Sequence, residues 1–197
     1  MLGTADVQVE RLFVTSLQRA IEEHAPEELE VFSRWFDPSA RRTRFHVASV
    51  IGAMGYLRRN PALYFKVIDT AGRTASDRAY SDFSPIERKL LETLPKFGRE
   101  RLVKHLLHSG LRSIHKDAQL SVKHEGQKLL MTVSNSLFCH TPAEDGGQMR
   151  CHFYAALFAG LLDKTDLHCC SVTESSCRGQ GSLTCSFEAL LEHPQAA

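Results

Sequence analysis

The sequence lacks an apolar run approaching the roughly 20 residues that would cross a bilayer. Its opening, MLGTADVQVERLF, lacks the basic start and apolar stretch of a secretory leader. It has no dominant charge: 24 basic and 23 acidic residues leave a formal +1, so there is no global pull toward nucleic acid. Aromatic residues make up 8%, with a single Trp, and there is no internal repeat, low-complexity segment or long linker. The only glycine-rich run, RGQGSLT at 178–184, misses the third glycine of a dinucleotide fingerprint and joins two strands instead of opening a helix. These absences argue against a membrane span, a secreted precursor and direct nucleic-acid binding. The expectation is a cytoplasmic globular domain, although Arg41, Arg42 and Arg44, and Lys96, Arg99, Arg101 and Lys104, form local basic clusters.

Cysteine is what the sequence does have: Cys139, Cys151, Cys169, Cys170, Cys177 and Cys185, all in its last third. In a reducing compartment such thiols are metal ligands, catalysts or buried small hydrophobes before they are disulfides.

The periodicity changes along the chain. Three- and four-residue apolar spacing predicts helices over 9–24, 27–36, 44–57, 61–79 and 86–107, with Asn60 and Ser84 as caps ahead of Pro61 and Pro85. From about 117 the period drops to two. Strands are predicted near 117–125 and 128–138 around a Glu125-Gly126 turn, then a helix over 149–162, then strands at 168–175 and 182–191. The expected fold is α+β: a helical part, 1–116, forming a dimerisation surface and pocket wall, packed on a mostly antiparallel sheet of about four strands with one inserted helix, 117–197. Gly179 and Gly181 are expected to turn the last hairpin at positive φ.

Strand and helix phase suggests which thiols meet. Cys185 shares a strand face with Leu183, Phe187 and Ala189, and Cys151 opens a helical stripe with Tyr154, Ala155, Phe158 and Leu162. Glu174 precedes Cys177 by three residues, where a strand meets a turn. Cys151, Glu174, Cys177 and Cys185 are therefore a candidate four-ligand set for zinc, closed and so structural in character. Buried thiols packed as small hydrophobes, or a Cys177–Cys185 disulfide across the hairpin, remain alternatives. Cys139, His140, Cys169 and Cys170 are a candidate second metal set without a standard spacing.

The runs CHFYAALFAGLL at 151–162 and TESSCRGQGSLTCSFE at 173–188 resemble the 4-vinyl-reductase-type domain. That domain occurs in bacteriochlorophyll-biosynthesis accessory proteins and in sensor domains of aromatic-responsive bacterial activators, and is distantly similar to subunits of the transport-particle tethering complex. The resemblance extends over about 149–190 and more weakly over 60–138, through NPALYFKVIDTAGRTASDRAY and LLETLP; the first sixty residues carry none. It implies zinc on Cys151, Glu174, Cys177 and Cys185, a homodimer, and a small hydrophobic ligand between the helical half and the sheet.

Candidate ligand residues are His105, Val133, Phe138, Tyr154, Phe158 and Val172, with Trp35, Phe45, Tyr56, Phe65 and Phe97 as further aromatic wall; each is equally a core residue. His105 and His108, one helical turn apart, suit a phenol, a carboxylate or a tetrapyrrole metal. The leading expectation is a zinc-stabilised binding domain for an aromatic or tetrapyrrole-like molecule, a sensor or carrier acting through a protein partner. Its alternatives are an accessory reductase of (bacterio)chlorophyll biosynthesis, which would lack a flavin or nicotinamide fingerprint, and a ligand-free scaffold.

Overall fold

The computed structural model describes residues 8–36, 44–139, 151–165, 167 and 169–191, with the side chains of 96, 97, 169 and 170 outside that description. Arg41, Arg42, His140 and the 141–148 loop also lie outside it.

Helices fill the first part: α1 Arg11–His24, α2 Leu29–Ser33 after a 3-10 turn, α3 Val47–Leu57, α4 Pro61–Ser81, α5 Pro85–Thr93 and α6 Lys96–Arg112. A two-stranded ribbon, β1 Gln8–Glu10 with β2 Arg44–His46, ties their ends together. The helix expected from 44 is thus a short strand followed by a helix: Val9 and Phe45, paired across the ribbon, both face inward. The helix expected over 86–107 is two helices. Pro95 disfavours helical backbone at Leu94, which takes ψ 145°, and the chain restarts as α6. The caps are as expected: Asn60 accepts from the Leu63 N–H, and Ser84 and Glu87 form a reciprocal capping box.

The second part is an antiparallel sheet, β3 Gln119–Glu125, β4 Lys128–Ser134, β5 Cys169–Ser176 and β6 Cys185–Leu191, in the order β3-β4-β6-β5, with helix α7 His152–Leu162 inserted. The fold is therefore α+β. Register puts Val133 opposite Cys185, Met131 opposite Phe187 and Leu129 opposite Ala189, all buried on the face toward the helices. Gly126 and Gly181 adopt φ of +62° and +93°; Gly179 instead lies in a 3-10 turn. Leu183, expected on the inner strand face, lies before β6 begins and is 94% exposed.

Helix α7 lies against α4 at unusually short range. A Cβ on Gly72 would stand 2.6 Å from the Ala156 Cβ and 2.7 Å from the Phe153 carbonyl oxygen, and one on Gly160 would meet the Ser76 side chain. This close approach fixes where the start of α7, and so Cys151, sits over the sheet.

Candidate metal centre

Four sulfurs converge beneath the start of α7. Those of Cys139, Cys151, Cys177 and Cys185 all lie within 4.8 Å of one another, and all four residues are buried. Cys139 Sγ is 3.4 Å from Cys151, 3.5 Å from Cys177 and 3.6 Å from Cys185, and Cys151 Sγ is 3.3 Å from Cys185.

Each residue arrives by a different local device. Cys151 is the cap residue of α7, whose first turn bonds back to its carbonyl. Cys185 begins β6 on the inner face. Cys177 directly follows β5 with the opposite strand parity to Glu174, and both are nonetheless buried, because a register shift between Glu174 and Ser176 reverses the alternation. Asn135, in the left-handed region at φ 57°, turns the chain out of β4 and into the short turn Leu137–Cys139. Its side-chain amide bonds the Asp117 carbonyl at 3.3 Å. Ser136 Oγ then sits 3.1 Å from Cys151 Sγ, and the buried Tyr154 hydroxyl accepts the Leu137 N–H at 3.1 Å.

Three of the four expected ligand residues are in this set. The fourth sulfur belongs to Cys139, which the sequence grouped instead with His140, Cys169 and Cys170. Glu174 stands beside the sulfurs: its Oε2 accepts the Cys151 backbone N–H at 3.0 Å, and its Oε1 is buried near the Cys177 thiol without a hydrogen bond of ordinary geometry. Burial first, and the neighbouring Cys177 thiol next, push its carboxyl up to about 8. The thiols polarise one another. Hydrogen bonding with Cys151 brings Cys139 down to about 7, and the bond with Cys139 lowers Cys177, while Cys151 and Cys185 are driven up by their bonds with Cys139.

The donor chemistry fits a soft tetrahedral cation. Zinc–sulfur bonds of about 2.3 Å place tetrahedral sulfurs about 3.8 Å apart, close to the separations seen, whereas a disulfide needs about 2.05 Å. All four cysteines are free. A closed four-donor shell leaves no open position for water or substrate, so a metal here would pin the β5–β6 hairpin to α7 instead of activating a nucleophile.

The expected ligand residues do not gather in one place. Val133, Phe138, Tyr154 and Phe158 are core: Phe138 and Tyr154 lie 5.0 Å apart, Tyr154 and Phe158 6.3 Å, and Phe158 and Phe187 5.5 Å between ring centroids. His105 is on an exposed face of α6, 5.6 Å from the ring of Phe83 in the turn between α4 and α5. Trp35 and Tyr56 cluster with Phe32 in the helical part, and Phe45 packs on Phe36. Val172 lines a half-open groove of about 380 Å³ between α4, α7 and the edge strand β5, together with Phe65, Asp69, Arg73, His152, Ala159 and others. Sequence reasoning named Phe65 and Val172 but not this groove, whose alanine floor has no distinctive signature.

A helical layer followed by an antiparallel sheet, with a thiol cluster where the inserted helix meets the last hairpin, defines the structural class. No family model matches this chain, and no curated protein does. Among solved structures it is similar to an Fe(II) unliganded H-NOX protein mutant from K. algicida, at a TM-score of 0.58 and 14% identity over 94% of this chain and 98% of that one. An H-NOX protein from S. oneidensis, in the Fe(II) ligation state, gives 0.52 and 9% over 94% and 97%. The phenol-responsive sensory domain of the transcription activator PoxR, with phenol, gives 0.49 and 13% over 75% of each chain. At these identities the H-NOX likeness establishes a shared fold. No helix among the described residues is long and apolar enough to cross a membrane.

Proposed function

We propose that this protein is a zinc-stabilised binding domain for a small hydrophobic molecule, aromatic or tetrapyrrole-like, working as a sensor or carrier in the cytoplasm. The observation that carries the reading is the convergence of four buried sulfurs. Four buried, unbridged sulfurs within 4.8 Å of one another form the donor set of a closed tetrahedral site, and a bound cation would offset the charge of their thiolate forms. Zinc suits an all-sulfur set and has no redox chemistry of its own to damage it.

The ligand reading rests on the groove. At about 380 Å³ it is within the range of small-molecule sites, and it combines the Phe65 and His152 rings, 4.7 Å apart, and the aliphatic Val172 and Ala159 with the charged Asp69, Arg73 and Asp163, so a ligand there would carry a polar group as well as an apolar one. It lies between helical layer and sheet edge, one residue from the thiol cluster at His152, so occupancy there would be felt by the metal centre. A ligand-free scaffold is the second reading, favoured by the tight packing of Phe138, Tyr154 and Phe158. Output would pass through a homodimer or another protein.

Native mass spectrometry of freshly purified protein tests the proposal. One zinc per chain and a small organic mass released on collisional activation are expected, with a dimeric envelope. Zinc without any organic mass, and no shift on adding phenol, would favour the scaffold; absence of zinc would overturn the reading.

A further inference from the structure

The centre offers five donors to an ion that takes four, and the fifth is not idle. We propose that Cys139 and Glu174 are interchangeable ligands, Glu174 taking the metal when Cys139 is lost to a small electrophile; this rests on the zinc reading above. Cys151, Cys177 and Cys185 are common to both sets. They are 0% exposed and anchored at a helix cap and on either side of a hairpin. Cys139 differs on both counts. It is 7% exposed and sits at the end of a three-residue turn, held by a 3.5 Å bond from its N–H to the Ser136 carbonyl.

Glu174 is placed to replace it. The residue is 8% exposed on the inner face of β5, with Oε2 fixed by the Cys151 N–H and Oε1 buried near the Cys177 thiol without a hydrogen bond of ordinary geometry. A buried oxygen without a partner is costly unless something claims it. Zinc also accepts carboxylate oxygen, at about 2.0 to 2.2 Å. Exchange also conserves charge: zinc with four thiolates, and zinc with three thiolates and a carboxylate, both carry a formal −2.

In the modified state the Cys139 sulfur bonds to the electrophile's carbon, the leaving group departs with its electron pair, and the sulfur no longer binds as thiolate. With iodoacetamide, the S–C bond forms, the C–I bond breaks and iodide leaves. The Glu174 carboxyl gives up its proton to solvent as it binds, zinc stays on Cys151, Cys177, Cys185 and Glu174, and the Leu137–Cys139 turn is untethered. Phe138 on that turn packs 5.8 Å from Phe13 and 5.6 Å from Phe153, so the release reaches the core between the layers.

The test uses the zinc-loaded full chain, with affinity measured by chelator competition and modification followed by native mass spectrometry. Cys139→Ala and Glu174→Gln should each keep one zinc. The double variant should weaken binding beyond the roughly 10- to 100-fold that loss of a merely supporting group costs. Among the four clustered cysteines iodoacetamide should label Cys139 first, leaving zinc in the wild type and ejecting it from Glu174→Gln, a readout that does not require the double variant to fold. Loss of zinc from Cys139→Ala, a double variant no weaker than Cys139→Ala, or labelling of Cys151, Cys177 or Cys185 before Cys139 would overturn the exchange while leaving the zinc reading intact. Absence of zinc from the wild type would instead overturn the zinc reading.

Discussion

The carboxylate of Glu174 accepts the backbone N–H of Cys151 at 3.0 Å, tying the sheet's edge strand to the first turn of α7 at the point where the sulfurs meet. The two residues are 23 positions apart, and the bond is buried. Helix, hairpin and thiol cluster are therefore one mechanical unit, and perturbing the cluster should be felt as a loss of fold.

Cys185→Ser should remove most of the bound metal and lower the melting temperature sharply, since structural zinc contributes on the order of 10 kcal/mol of apparent binding energy to folding. Thermal unfolding with and without a chelator checks this. The wild type should lose stability on chelation, and the variant should not respond.

Asn135 should tolerate glycine but not a β-branched residue. Its φ of 57° is open to glycine, whereas valine there should cost about 1–3 kcal/mol and loosen the turn that carries Cys139. Denaturant unfolding measures the first effect, and a faster Cys139 alkylation rate measures the second.

Gly72→Val should destabilise by about 1–3 kcal/mol or more, because its side chain would displace Ala156 and the Phe153 carbonyl. Zinc affinity should fall with it, since α4 sets the position of α7. A normal melting temperature would show that the two helices separate easily.

Burial, with His105 and Arg112 nearby, holds His108 below its ordinary 6.5. The folded imidazole thus binds fewer protons than the unfolded one below that pH. Its contribution is present above pH 6.5 and lost as the pH falls. Denaturation of wild type and His108→Gln, compared between roughly pH 7 and 5, should show the wild type losing ground on the acid side.

Much of the fold is legible in residue periodicity because amphipathic helices and half-buried strands must alternate to bury one face. Cys151 and Cys185 follow from that phase alone. Cys177 follows only if the bulge after Glu174 is anticipated, and the spacing of Glu174 and Cys177 hints at it. Cys139 is not legible: it is placed by one left-handed residue and a three-residue turn, which leave no periodic trace. The β2 strand and the break at Pro95 were hidden for a related reason. Tertiary pairing with β1 decides the first, and a single backbone restriction decides the second. The ligand residues follow from apolar character alone, which core and pocket share, so Phe138, Tyr154 and Phe158 carry no mark in the sequence that sets one role apart from the other.

The most direct measurement of the central claim is X-ray absorption at the zinc edge on the purified full chain. The account predicts one zinc per chain in a first shell of four sulfurs at about 2.3 Å. A shell dominated by nitrogen or oxygen, or a protein that takes up no zinc while its four thiols stay reduced, would contradict it.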